Sequence, residues 1–209
     1  MARVWRRAKK FVRKADVRLV ATGLALVLAI VVIAMTTKER RLGVDPASYA
    51  PLLDLIASVE SRNNYNAYFG NAHNAEIEFT NMTIAEVRAW QEEYTATGAA
   101  SSAVGRYQII NTTLESLVEE LELDDEQPFN KATQDTMAMA LVERRGSEAY
   151  VNSELTDEQF AAQLAKEWAA LPSVVGEHPE QSYYAGDGLN KSLVEVEEIL
   201  QAVRALQPQ

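Results

Sequence analysis

The sequence predicts an α+β domain, predominantly helical, with a small irregular or β insert and one N-terminal transmembrane helix. Three observations carry this expectation. Apolar residues recur at helical spacing through most of residues 47–206. That periodicity fails between Arg62 and Thr80, where five Asn, Gly70 and several aromatics cluster. And 19 residues, Leu19 to Thr37, carry no charge at all.

Residues 1–18 hold eight Lys/Arg and one acid, a basic tail that favours the cytoplasmic side. In residues 19–37, eleven are Leu, Val, Ile or Met, and the other eight are Ala, Gly or Thr. The run is apolar on every face and long enough to span a bilayer core as a helix. It reads as an uncleaved signal anchor. The alternative is a cleaved secretory signal, for which Val32 and Ala34 give a weak small-x-small site, although the run exceeds a usual signal core. Residues 38–49 link this segment to a domain spanning 50–209, with Gly43–Pro46 as the turn-rich part.

A first helix is expected from about Ala47 to Ser61, with Leu52, Ile56, Val59 and Glu60 on one face. Thr83 and Glu86 fit a capping box that opens a second helix carrying Val87 and Trp90. Gly98 to Gly105 is a loop of small residues. Thr112 and Glu115 suggest another box and a helix through Leu121. Asn130 caps a helix running to Arg145, stopped by Gly146. Thr156 and Gln159 open one running to Leu171, ended by Pro172. The last is expected from Asn190 to about Leu206, with Leu193, Val196, Leu200 and Val203 inward.

Charge and composition exclude several functions. Residues 42–209 hold 28 acids against nine Lys/Arg, so the domain repels phosphate backbones and nucleic acid is a poor partner. The absence of cysteine removes disulfides, thiolate metal sites, cysteine peptidase chemistry and lipoprotein acylation. The two histidines, His73 and His178, have no partner at ligand spacing, which speaks against zinc chemistry and leaves only an all-carboxylate metal site open. No cofactor is implied.

Among the acids, Glu60 stands apart. It follows Ile56 by four residues on the apolar stripe, at the end of its helix, where partial desolvation keeps a carboxyl protonated near neutral pH. A structural ion pair is the competing reading of such a position. The segment LIASVESRNNYNAYFGN around it resembles the catalytic segment of the phage lambda endolysin family, lytic transglycosylases with a lysozyme-like fold. SSAVGRYQII (Ser101–Ile110) is similar to that family's small-residue loop and Gly-Arg-Tyr-Gln block. Residues 129–146 resemble its next helix through Gln134, Asp135, Glu143, Arg144 and Gly146. KEWAALP (Lys166–Pro172) resembles a fourth block. The four occur in order across about residues 50–205.

The resemblance implies cleavage of peptidoglycan glycan strands with Glu60 as the catalytic acid. Tyr65, Asn66, Gly105, Tyr107, Gln108 and Tyr184 are the candidate sugar-binding residues. Small residues before Gly105 let a sugar approach the backbone, and Tyr107 and Gln108 offer a ring face and an amide. Core packing is the other reading of Tyr107, and an ion pair is the favoured one for Arg106. Trp168 reads as core, Trp90 as either. A transglycosylase needs one Glu, acting as acid and then base. A hydrolase needs a second carboxylate, for which Glu76 and Glu78 are the candidates. A non-catalytic wall-binding module is a further alternative, against which the intact Glu60, Gly105 and Gln108 speak. With the anchor, the expected place is the inner membrane, N-terminus cytoplasmic and domain periplasmic. Release to the periplasm, as in signal-arrest-release endolysins, is a third fate for residues 19–37. Oligomeric state is left open.

Overall fold

The computed structural model describes residues 44–207, and the expectations for residues 1–18, 19–37 and the first part of the linker lie outside them. Among the described residues no helix is long and apolar enough to cross a membrane. Seven α-helices are present there: α1 (Ala50–Glu60), α2 (Ile84–Ala96), α3 (Asn111–Glu120), α4 (Lys131–Arg144), α5 (Ser147–Val151), α6 (Asp157–Leu164) and α7 (Val196–Arg204). A 3-10 turn, Pro46–Tyr49, leads into α1. Val44 and Tyr49 are buried in the core, so packing begins ahead of residue 50.

Helix α1 lies at the centre, packed against both α4 and α7. Leu52, Ile56 and Ala57 are completely buried, at the spacing that one helical face requires. Ser61 ends the helix: its Oγ donates to the carbonyl of Arg106 (2.7 Å), tying the helix terminus to the loop that crosses beneath it. On the other side, α2 packs on α3, and α6 packs on α7. The capping boxes expected at Thr83 and Thr156 both form. Asn130 caps α4, its side chain accepting from the Thr133 N–H.

The β expectation is corrected. Pairing among the described residues is limited to isolated bridges, such as Tyr68 with Val104 and Val104 with Ile109. The reason lies in the asparagines, whose side chains take the hydrogen bonds that a ladder would use. Asn74 is buried; its amide donates to the carbonyls of Asn66 and Ile77 and accepts from the N–H groups of Glu76 and Ile77. Asn64 donates to the carbonyls of Ala72 and Asn74, and Asn66 accepts from the Thr80 N–H. The insert is a loop stapled from within.

Four helix expectations also change. The box at Thr112 does not form; α3 opens at Asn111, whose N–H is satisfied by the Ser102 hydroxyl instead (2.9 Å). Gly146, at φ 96°, turns the chain into α5, which the sequence reading did not anticipate. Helix α6 stops at Leu164 rather than Leu171, because residues 165–171 run as successive turns. Helix α7 starts at Val196, leaving Leu193 exposed while Val194 is buried.

Replacing the buried Asn74 by alanine removes four hydrogen bonds inside a partly buried loop, two of them from the N–H groups of Glu76 and Ile77. The expected loss is about 2–4 kcal/mol in urea unfolding. A loss under roughly 0.5 kcal/mol, the range of ordinary surface changes, contradicts the staple.

Candidate active site

Three stretches of chain converge on the end of α1. The first is the stapled insert, the second the loop from Ser101 to Ile110, and the third the turns after α6. The buried amide of Gln134, on α4, fixes two of them at once. Its Oε1 accepts from the Arg106 N–H (2.9 Å), and its Nε2 donates to the carbonyls of Tyr65 (3.2 Å) and Phe129 (3.0 Å). Gly105 makes room for that amide. It has φ +80°, and a Cβ there would lie 2.4 Å from the Gln134 Oε1. On α2, Gln91 donates to the carbonyls of Ser102 and Ile109 and holds the loop's other end (both 2.9 Å).

These walls enclose an open cleft of about 790 Å³, lined among others by Glu60, Tyr68, Gln108, Trp168 and Tyr184. Glu60 is partly buried, and the Ala170 N–H reaches its Oε1 at 3.3 Å. The turns through Ala165–Ala170, where α6 has already ended, leave this N–H outside any helix and aimed at the acid. Burial dominates the chemistry and pushes the Glu60 pKa up to about 7; the Ala170 N–H partly offsets it. A carboxyl that holds its proton to neutrality in an open cleft can act as a general acid.

The remaining expected site residues divide into two groups. Gln108 and Tyr184 line the cleft. The Gln108 backbone takes φ 50°, and its side chain donates to the Gly105 carbonyl (2.9 Å). The Tyr184 hydroxyl donates to the Lys166 carbonyl, leaving the ring exposed. Tyr65, Asn66, Gly105 and Tyr107 are not among the lining residues. Tyr107 is buried, its hydroxyl donating to Asp135 at 2.6 Å, and Tyr65 donates to the same carboxylate. Arg106 lies near both rings and forms the expected ion pairs, with Asp54 and Asp135. These residues brace the wall from within.

Glu76 and Glu78 are exposed and do not line the cleft. Glu167 does, and the sequence reading missed it. Its carboxylate is held by Arg145 through N–H bonds of 2.9 and 2.7 Å. Trp168 is buried as expected, with its indole N–H on the Tyr107 carbonyl, yet its edge also reaches the cleft. Trp90 packs face to face with Tyr94 and edge-on to Phe79, inside an aromatic cluster. Among the described residues no three His, Asp or Glu side chains converge as a metal site.

The Endolysin family profile matches residues 50–192. No curated protein and no solved structure matches the chain significantly.

The raised Glu60 pKa gives a signed stability prediction. The folded state keeps the proton that the unfolded chain releases near pH 4.5. The contribution of Glu60 to stability therefore falls as pH rises from about 4.5 to about 7 and is level above that. Glu60→Gln removes this slope and makes the protein more stable than its parent at pH 8, on the order of 2–3 kcal/mol. Parallel melting curves at pH 4 and pH 8 measure the difference. A parent and variant that shift together show that Glu60 is not desolvated.

Proposed function

The chain belongs to the endolysin family, and we propose that it cleaves peptidoglycan glycan strands by lytic transglycosylation. The bond concerned is the β-1,4 linkage from N-acetylmuramic acid to N-acetylglucosamine. The single observation that carries this reading is Glu60, desolvated on the wall of an open cleft large enough for sugars. Its proton passes to the bridging oxygen as the bond to C1 breaks. The resulting carboxylate takes the proton of the C6 hydroxyl, whose oxygen closes on C1 with help from the N-acetyl group, leaving a 1,6-anhydro end. One carboxyl thus serves twice.

Support for solitary action comes from the other acids. Glu76 and Glu78 are exposed and away from the lining, and Glu167 is engaged by Arg145. Gln108 and Tyr184 supply an amide and a ring to the sugars from the walls. In the same reading, residues 19–37 anchor the domain on the periplasmic face of a Gram-negative inner membrane, and the biological setting is phage or prophage lysis.

The products decide the mechanism. Digestion of purified peptidoglycan is expected to give 1,6-anhydromuramic ends by mass spectrometry, and reducing ends would make the enzyme a muramidase. Glu60→Gln should lower the rate at least 1,000-fold, a loss of about 4 kcal/mol in transition-state stabilisation. Glu76→Gln and Glu78→Gln should each stay within roughly twofold of the parent. For the anchor, fractionation of cells producing the chain should place it in the membrane, and deletion of residues 2–37 should move it to the soluble fraction. An unchanged distribution rules the anchor out.

A further inference from the structure

The cleft wall carries two carboxylates, Glu60 and Glu167. Neither leaves a full negative charge at and below neutrality. Glu60 holds its proton and Glu167 is neutralised by Arg145. The same wall carries Arg62, exposed and two residues beyond the acid. Six arginines lie among the described residues. Arg88, Arg106, Arg144, Arg145 and Arg204 are each in a salt bridge with Asp or Glu. Arg62 alone among the six has no such partner there, on a chain with 30 acidic residues against 20 Lys and Arg. In so acidic a setting an uncommitted guanidinium is unexpected, and it sits in the cleft.

Its backbone adds a second observation. Arg62 and Asn63 both take left-handed conformations, at φ 56° and 63°. Asparagine adopts this region readily, but for an arginine it is uncommon, and such backbone concentrates at functional sites. The pair turns the chain back sharply at the end of α1, with the Asn63 N–H still bonded to the Ala57 carbonyl (3.0 Å). The outcome is an arginine on the cleft wall that also carries Glu60, with no side-chain hydrogen bond or ion pair among the described residues to occupy its fork of donors.

Resting on the glycan-strand reading above, we infer that Arg62 is a specificity residue that binds a carboxylate carried on the lactyl side of the muramic sugar. Peptidoglycan offers that chemistry from two sources: the lactyl carboxylate itself where the stem is missing, and the peptide stem's carboxylates where it is present. A neutral glycan of N-acetylglucosamine alone offers neither. The residue distinguishes wall glycan from chitin-like glycan by charge, a discrimination that ring stacking and amide contacts do not supply.

The test uses the full-length chain bearing Glu60→Gln, with and without Arg62→Gln, and measures binding to three ligands. These are stem-bearing strands, strands stripped of stems, and a neutral N-acetylglucosamine hexamer. Arg62→Gln is expected to weaken binding to at least one anionic strand by roughly tenfold at low salt, with the gap closing near 0.5 M salt. Binding to the neutral hexamer should be unchanged, and Arg62→Lys should restore part of the loss. The strand that loses affinity identifies which carboxylate is bound. An equal loss on the neutral hexamer, or no loss on either anionic strand, overturns the inference, as does a protein that binds no glycan. Cleavage of the two strands by the chain with Glu60 intact is scored separately. Charge-selective binding without cleavage would overturn the catalytic reading and leave this one standing.

Discussion

One buried side chain, the amide of Gln134, does more than any other to decide where the cleft can be. Both of its donors and its oxygen are engaged by backbone groups of three separate segments, at Tyr65, Arg106 and Phe129. A buried amide left with an empty partner costs more than it gives when paired, so the three segments are coupled. Gly105 is the geometric counterpart, since any side chain there would occupy the position of the Gln134 oxygen. The ring of Tyr107, the carboxylate of Asp135 and the guanidinium of Arg106 continue this network away from the cleft. The polar groups that look most sugar-like in their habits are committed to holding the wall.

The acid is placed by a different device. Helix α1 delivers Glu60 at its last residue, and Ser61 pins that end to the Arg106 carbonyl. The chain after α6 then forgoes helical geometry so that the Ala170 N–H can reach the carboxyl. Ser182 holds the Ala169 carbonyl (2.7 Å), and the Leu193 N–H holds that of Ala170 (2.8 Å). A single neutral donor tempers the burial without reversing it. A positively charged partner in the same place would have pulled the proton away.

Much of this was legible in the sequence, for reasons that differ by residue. The caps at Thr83, Asn130 and Thr156 are local chemistry, decided within one turn, and the structure has them where the residues put them. Glu60 was marked out by its spacing on an apolar stripe, and its environment matches that spacing. The end of α6 is not legible, because Ala165 to Leu171 is a good helical sequence and the groups that bind its turns, Glu60, Tyr107, Ser182 and Leu193, lie outside it. Tyr65 and Tyr107 likewise read as sugar contacts until Asp135, 70 and 28 residues further on, took their hydroxyls. Asparagine density fits a loop or a hairpin equally; which one forms depends on Asn74 being buried, a fact of tertiary packing. Glu167 carried no local signal at all.

Trp168 has a consequence that goes beyond its packing. Its indole is almost wholly enclosed, with the N–H fixed on the Tyr107 carbonyl, while one edge borders the cleft beside Glu60. The other tryptophan among the described residues, Trp90, sits in a cluster of rings with Phe79 and Tyr94. A rigid indole at the boundary of a wet cleft responds in its emission when water there is displaced. Filling the cleft is therefore expected to change the emission of Trp168, a signal that needs neither a label nor turnover to be read.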